Sequence, residues 1–222
     1  MSLPIYKIEL DRYLDEELFL EFFKNKNHMI KDFFPQIKTK KDVLDAINYS
    51  YKSLIGDIKS TVNFLKENNK KLDKIANIIS DKLTCKWDEI SEITIIPCVC
   101  PVCPRWIYEN KFMVAYFFNR DDILRICAHE MTHLLYFKKL NILLPDEKID
   151  TEYPSKDWLL SEIVAPLIIN SPEIKKLVNG NRDTLFIPDG MISGNQIEKI
   201  NNLFDKEKDI LVFRKKALAI LN

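Results

Sequence analysis

The stretch DDILRICAHEMTHLLYFKKL, residues 121–140, has the apolar periodicity of a helix and contains two of the chain's three histidines. Its apolar residues occur on most sides of a helix predicted from about Ile123 to Leu140, and such a helix is expected to be buried. Residues four apart share one face of a helix, so His129 and His133 are expected to point the same way. The stretch therefore predicts a buried helix that carries a pair of imidazoles.

The residue between these histidines and their spacing are typical of one kind of metal chemistry. Two imidazoles on one helix face can bind the same zinc ion, and a catalytic zinc takes three protein ligands and leaves one position open. Glu130 follows His129 directly, roughly 100° further around the helix, where its carboxylate can reach a water molecule at the metal. We therefore expect one Zn²⁺ held by His129 and His133, with Glu130 as the catalytic base.

A third ligand has to come from another part of the chain. Glu162 is the first candidate, because it lies in the apolar run WLLSEIVAPLI, where a buried carboxylate without a partner would be costly. Asp157 is the second, although an acidic residue in the first turn of a helix is ordinary. Further candidates are Glu147, Asp150 and Glu152 in the intervening loop. The third histidine, His28, lies in a distant helical region, where a surface or packing role is expected.

The remaining segments predict a helix-rich chain of the α+β class. Helical patterns cover residues 12–34, 40–68 with a bend at Gly56, and 70–83. Residues 92–97 (EITIIP) and 111–118 (KFMVAYFF) favour strands. The following helices are expected at 123–140 with Asp121 or Asp122 as the cap, at 155–170 with a Ser155 cap and strain or an end near Pro166, and in the region 195–221. We divide the chain into a helical N-terminal region, 1–85, and a core with a C-terminal helix, 86–222, which could also form one compact unit.

HEMTH followed by a glutamate in a second helix resembles the gluzincin branch of the zinc metallopeptidases, over about residues 90–170. The resemblance implies a zincin-like core, which is a small mixed sheet plus the active-site helix. It implies His129, His133 and Glu162 as zinc ligands and Glu130 as general base. It also implies that the strand before the motif helix is an edge strand that binds substrate, which would involve Val114, Ala115 and Tyr116. A central core strand is the alternative for this run.

Two features depart from that group. No Tyr or His follows Glu162, although such a residue usually stabilises the transition state there. We therefore expect Tyr153 to take this role, with Tyr136, Arg182 or backbone amides as alternatives. The position four residues after the glutamate, which can hold an acid that orients a zinc-bound histidine, is Pro166.

Composition limits the partners. Lys plus Arg and Asp plus Glu are balanced at 33 each, which gives no electrostatic reason to expect nucleic acid or an anionic membrane as a partner. The N-terminus has no signal-peptide pattern and no apolar run is long enough to span a bilayer, so we expect a cytoplasmic protein. Cys98, Cys100 and Cys103 form a C-x-C-x-x-C segment between prolines, for which a Pro/Cys loop, a Cys98–Cys103 disulfide and a second metal site are alternatives.

Taken together, the sequence predicts a zinc-dependent peptidase that hydrolyses peptide bonds with metal-activated water and takes a peptide or protein as substrate. A zinc-binding protein that keeps the zincin scaffold for binding or regulation, with little turnover, is the main alternative. A structural-zinc interaction module is a third reading, but such a site uses four protein ligands and gains nothing from Glu130.

Overall fold

The computed structural model describes residues 2–178, 187 and 190–221. Of the residues that the structure describes, 60% are helical, and a small sheet is also present. In chain order the elements are β1 (Ile5–Ile8), α1 (Arg12–Lys24), α2 (His28–Phe33), α3 (Lys40–Ser53), α4 (Ile55–Glu67), α5 (Asn69–Leu83), β2 (Glu92–Cys98), β3 (Arg105–Trp106), β4 (Lys111–Ala115), α6 (Arg120–Leu143), α7 (Lys156–Ile169), α8 (Pro172–Lys175), α9 (Gly194–Lys206) and α10 (Ile210–Ile220).

The sheet is mixed and has the strand order β1-β2-β4-β3. Strand β2 pairs in parallel with both β1 and β4, and β3 pairs antiparallel with β4. The apolar residues of β2, such as Ile93, Ile95 and Ile96, are almost fully buried, as expected of a central parallel strand. This architecture confirms the prediction of a helix-rich α+β chain with a small mixed sheet.

For the run that forms β4, an edge strand and a central core strand were the two alternatives. The strand order places β4 inside the sheet, with β2 on one side and β3 paired with Lys111 and Phe112 on the other. Val114 and Ala115 pair with β2 and are fully buried, and Tyr116 follows the strand with its N–H donating to the carbonyl of Cys98. A role of these three residues in substrate binding stays a prediction.

The N-terminal region, predicted as helical, also contains a strand. Residues Ile5–Ile8 form β1 and pair with residues 92–95 of β2, a long-range pairing that leaves little trace in four residues of sequence. The bend expected at Gly56 is a break between α3 and α4 at Leu54. Among the residues that the structure describes, no helix combines the length and the apolar character needed to cross a bilayer.

Helix α6 begins three residues earlier than predicted, at Arg120. The side chain of Asn119 accepts a hydrogen bond from the backbone N–H of Asp122 at 2.9 Å, so Asn119 and neither of the predicted aspartates caps the helix. Asp121 and Asp122 lie in the first turn, where their charges favour the helix dipole.

The contacts of the chain divide it into two compact units that differ from the predicted division at residue 85. The sheet unit consists of Pro4–Leu72 and Ile90–Cys127. The helical unit consists of Met1–Leu3, Asp73–Glu89 and Ala128–Asn222. Helix α6 contributes its first residues, up to Cys127, to the sheet unit and the rest to the helical unit, so the boundary falls inside the predicted core.

In the sheet unit a buried carboxylate holds the segment that follows β2. Asp15 of α1 is fully buried and accepts hydrogen bonds from the backbone N–H of Val99 at 2.6 Å and of Cys100 at 2.9 Å. The hydroxyl of Tyr51 donates to the same carboxylate at 3.1 Å. Burial raises the pKa of Asp15 from 3.8 to about 6, against the lowering effect of these three hydrogen bonds.

This carboxylate makes the stability of the fold depend on pH. Because the pKa of Asp15 is higher in the folded chain than in the unfolded one, the folded chain binds the proton more tightly. The contribution of Asp15 to the free energy of unfolding should therefore fall by about 3 kcal/mol as the pH rises from about 4 to about 6, and stay level above that. Urea unfolding of the wild type and of Asp15→Asn across this range measures the effect. Equal pH dependence in the two proteins would contradict the assignment.

Candidate metal centre

Helix α6 buries the two histidines of the HEMTH segment. His129 is 3% exposed and His133 is fully buried, and their ring centroids lie 4.7 Å apart. The apolar residues around them are also buried, as predicted: Ile123, Leu124, Cys127, Ala128, Met131, Leu134, Leu135, Phe137 and Leu140. The two imidazoles are thus enclosed in an apolar setting.

Helix α7 brings a carboxylate to these imidazoles. It begins after Ser155, whose side chain accepts from the N–H of Trp158, so the predicted cap is confirmed. Glu162, 2% exposed, has one oxygen 3.3 Å from Nε2 of His129 and the other 3.6 Å from Nε2 of His133. The candidate that the sequence placed first is therefore the acid that meets the histidines.

The three side chains fit a metal ion in both geometry and chemistry. One ligand atom from each of His129, His133 and Glu162 lies within 4.8 Å of the other two. Two ligands that are bound to zinc at ~2.0–2.1 Å in tetrahedral geometry are themselves separated by about 3.3–3.4 Å. The observed separations of 3.3 Å and 3.6 Å between carboxylate oxygens and imidazole nitrogens are close to that value. The cluster can therefore hold a metal ion.

Glu130, the expected catalytic base, lies next to this cluster in sequence and is 6% exposed. It does not belong to the group of three converging side chains. A carboxylate that is almost fully buried beside a metal-binding group, without being a ligand, suits a proton-transfer role.

The other acidic candidates are engaged elsewhere. Asp157 accepts two hydrogen bonds from the guanidinium of Arg214, and Glu147 accepts a third. Asp150 and Glu152 are exposed in the loop between α6 and α7. His28, at the start of α2, is exposed, in agreement with the surface role expected for it.

Helix α7 continues through Pro166 to Ile169, so the proline does not end it. Because proline has no N–H, the helical hydrogen bond from residue 166 to the carbonyl of residue 162 is missing. That carbonyl belongs to Glu162. The helix is therefore weakened at the turn that carries the third residue of the cluster.

The candidates for transition-state stabilisation differ in exposure. Tyr153 is 58% exposed, and its ring packs edge-on against Trp158 at 5.0 Å between centroids. Tyr136 is fully buried, and burial raises the pKa of its hydroxyl, with nearby Asp157 also raising it and Arg214 lowering it. Arg182 lies outside the described residues. Of the two candidate tyrosines, Tyr153 is thus the exposed one.

The cysteine segment does not form a second cluster of this kind. Within the described ranges, the group formed by His129, His133 and Glu162 is the one set of three metal-ligating side chains that converge. Cys98, Cys100 and Cys103 are free thiols, and Cys98 donates to the carbonyl of Cys100 at 3.3 Å. The structure therefore agrees with a Pro/Cys loop, which Asp15 holds through the amides of Val99 and Cys100.

Arg214 of α10 was not predicted from the sequence as a residue that supports the site. Its guanidinium lies 57 residues away from its partner Asp157 in the chain. The available signal was an arginine that follows the apolar segment ILVF at the start of α10, together with an aspartate in the first turn of α7. Neither residue identifies the other without the fold.

Comparisons of the chain with family models, with curated proteins and with solved structures found no match.

Metal binding should stabilise the folded protein through this cluster. Because a ligand that binds only the folded state adds free energy by mass action, zinc at ~100 times its dissociation constant should add about 2.7 kcal/mol. The expected result is a rise in Tm on adding zinc to metal-free wild type, and no such rise for His133→Ala. His28→Ala, which removes the exposed histidine of α2, should behave as wild type. A zinc-dependent rise that survives in His133→Ala would place the metal elsewhere.

We expect Pro166 to lower the stability of α7 and at the same time to place Glu162 for zinc binding. Pro166→Ala restores the N–H that the carbonyl of Glu162 lacks, so metal-free protein should become more stable, by up to about 3 kcal/mol. The straightened turn should move the carboxylate and weaken zinc binding roughly 10-fold. Urea unfolding and a zinc-chelator competition measure the two effects.

Pro172→Ala is the matched control, because Pro172 lies at the first position of α8, where proline is well tolerated. Neither the stability of the metal-free protein nor its zinc affinity should change much in this variant. Unchanged zinc affinity in Pro166→Ala would show that the proline does not influence the cluster.

Proposed function

We propose that this protein is a zinc-dependent peptidase with a zincin-like core of the gluzincin type. In this proposal His129, His133 and Glu162 bind the zinc ion and Glu130 is the general base. The observation that carries it is the convergence of the three buried ligand side chains from α6 and α7. The α+β architecture with a small mixed sheet is compatible with such a core.

The donor set favours a catalytic over a structural metal. Three protein ligands leave a coordination position open, whereas structural zinc sites are closed by four. Two imidazoles and one carboxylate also suit ferrous iron in oxygenases, so the donors alone do not decide the metal. Glu130 favours hydrolysis, because a buried carboxylate adjacent to the cluster provides a base that an oxygenase site does not need.

Each residue of the proposed site has its own role in peptide hydrolysis. When bound, zinc would supply Lewis acidity and lower the pKa of a water molecule to about 7. Glu130 accepts the proton of the attacking water and passes it to the nitrogen of the leaving amine. His129 and His133 are neutral ligands, so Glu162 contributes the one negative charge. Tyr153 is our candidate donor to the developing oxyanion, since its ring is exposed.

The proposal is tested by the effect of Glu130→Gln on the cleavage of casein or a peptide library. Because glutamine keeps the shape but cannot accept a proton, kcat/KM should fall by about 10²–10⁴-fold. Bound zinc, measured by elemental analysis, should remain at one ion per chain. Glu198→Gln, which changes an exposed carboxylate of α9, should keep both the activity and the zinc.

Three outcomes would contradict the proposal. Wild type that binds zinc and cleaves no substrate would favour a zinc-binding protein with the same scaffold and a binding or regulatory role. Wild type that takes up no zinc after metal-replete purification would remove the metal centre itself. Iron in place of zinc would point to a different reaction class.

A further inference from the structure

We propose that Arg214 of α10 is a positioning residue for the metal cluster. By binding Asp157 it holds α7 in the place where Glu162 meets the two histidines. This inference rests on the metal centre of the proposed function but not on peptidase activity. It connects the C-terminal helix to the affinity of the site for metal.

The contact between Arg214 and Asp157 has the geometry of a strong ion pair. Nε of Arg214 donates to one carboxylate oxygen of Asp157 at 2.7 Å, and a terminal nitrogen donates to the other at 2.8 Å. The same terminal nitrogen donates to Glu147 at 2.6 Å. Such paired, charge-assisted hydrogen bonds fix orientation as well as distance. The guanidinium therefore ties the first turn of α7 to α10 and to the loop that precedes α7.

The burial of this pair separates it from the surface ion pairs of the chain. The side chains of Arg214 and Asp157 are 11% and 12% exposed, whereas those of Lys216 and Glu207, also paired, are 56% and 21% exposed. Exposed pairs contribute little, because water screens them and the side chains lose freedom. The ion pair between Arg214 and Asp157 is largely buried, so water screens it less. Removing Arg214 should therefore leave the Asp157 carboxylate poorly solvated, and we expect α7 to move in response.

Helix α7 can transmit this anchoring to the cluster. Asp157 lies in its first turn and Glu162 follows five residues later, about 7.5 Å along the axis. Beyond Glu162 the helix lacks the hydrogen bond that Pro166 cannot make. The turn that carries Glu162 therefore lacks one helical hydrogen bond on its C-terminal side, whereas Arg214 binds on its N-terminal side.

The same pair lies close to the helix that carries the histidines. Tyr136 follows His133 by three residues on α6, and its hydroxyl is close enough to Asp157 and Arg214 for their charges to act on it. The pair thus lies where α6, α7 and α10 approach one another, one turn beyond the metal cluster. Loss of the pair should change the relation between α6 and α7 at that point.

The test measures zinc dissociation constants of the full-length chain by competition with a chromophoric chelator. The variants are Arg214→Met, Arg214→Lys and Asp157→Asn, each in the wild-type and the Glu162→Ala background. Methionine keeps the apolar stem of the arginine without its charge. We expect Arg214→Met and Asp157→Asn to weaken zinc binding ~10–100-fold, and Arg214→Lys to weaken it less, because it keeps the charge and loses the fork.

The Glu162→Ala background separates positioning from general loosening. If Arg214 acts through Glu162, then Arg214→Met should not weaken zinc binding further once Glu162 is absent. Lys216→Met, which breaks the exposed pair on the same helix, should keep wild-type affinity. Circular dichroism confirms folding of each variant, and Asp157→Asn and Arg214→Lys serve if Arg214→Met does not fold.

Three results would overturn the inference, and they are distinguishable. If the wild type does not bind zinc, both the proposed metal centre and this inference are wrong. Zinc binding by wild type with unchanged affinity in all three variants overturns the positioning role alone. Equal weakening in both backgrounds shows that Arg214 stabilises the helical unit without acting on Glu162.

Discussion

The cost of burying charge governs the arrangement of the helical unit. Glu162 and the imidazoles of His129 and His133 are buried, and they lie on two helices that bury many apolar residues. A carboxylate in such surroundings is tolerated when polar partners surround it. The packing of α6 against α7 that places the carboxylate within 3.6 Å of both rings satisfies this requirement, and it also gathers three metal-ligating atoms.

The two units use the same principle with different partners. In the sheet unit, Asp15 is surrounded by two backbone amides and a tyrosine hydroxyl, which are hydrogen-bond donors. Donors of this kind fix a loop, and together they occupy three of the roughly four acceptor positions of the carboxylate. Glu162 instead faces imidazole nitrogens, which are metal ligands themselves when neutral. Two carboxylates of similar burial therefore have unlike chemistry because of the groups that face them.

The polar contacts of the helical unit also align its helices. Apolar side chains pack in many orientations, whereas the fork between Arg214 and Asp157 accepts only one. This fork binds α7 at its first turn, and Pro166 removes a helical hydrogen bond further along the same helix. In the proposed metal centre, Glu162 lies between these two features.

The sequence alone determined the local features of this protein. The four-residue spacing of His129 and His133, the apolar faces of α6 and α7 and the Ser155 cap depend on residues within about one helical turn of one another, and all were predicted. Glu162 could also be identified as the first candidate for the third member of the cluster, because an isolated carboxylate in an apolar helix already indicates a partner. The tertiary structure decided which strands pair, and it placed β1 beside β2, which is far away in sequence. It also decided that Asp157 binds Arg214. Strand pairing and ion pairs join segments tens of residues apart, so their partners become known only when the chain has folded.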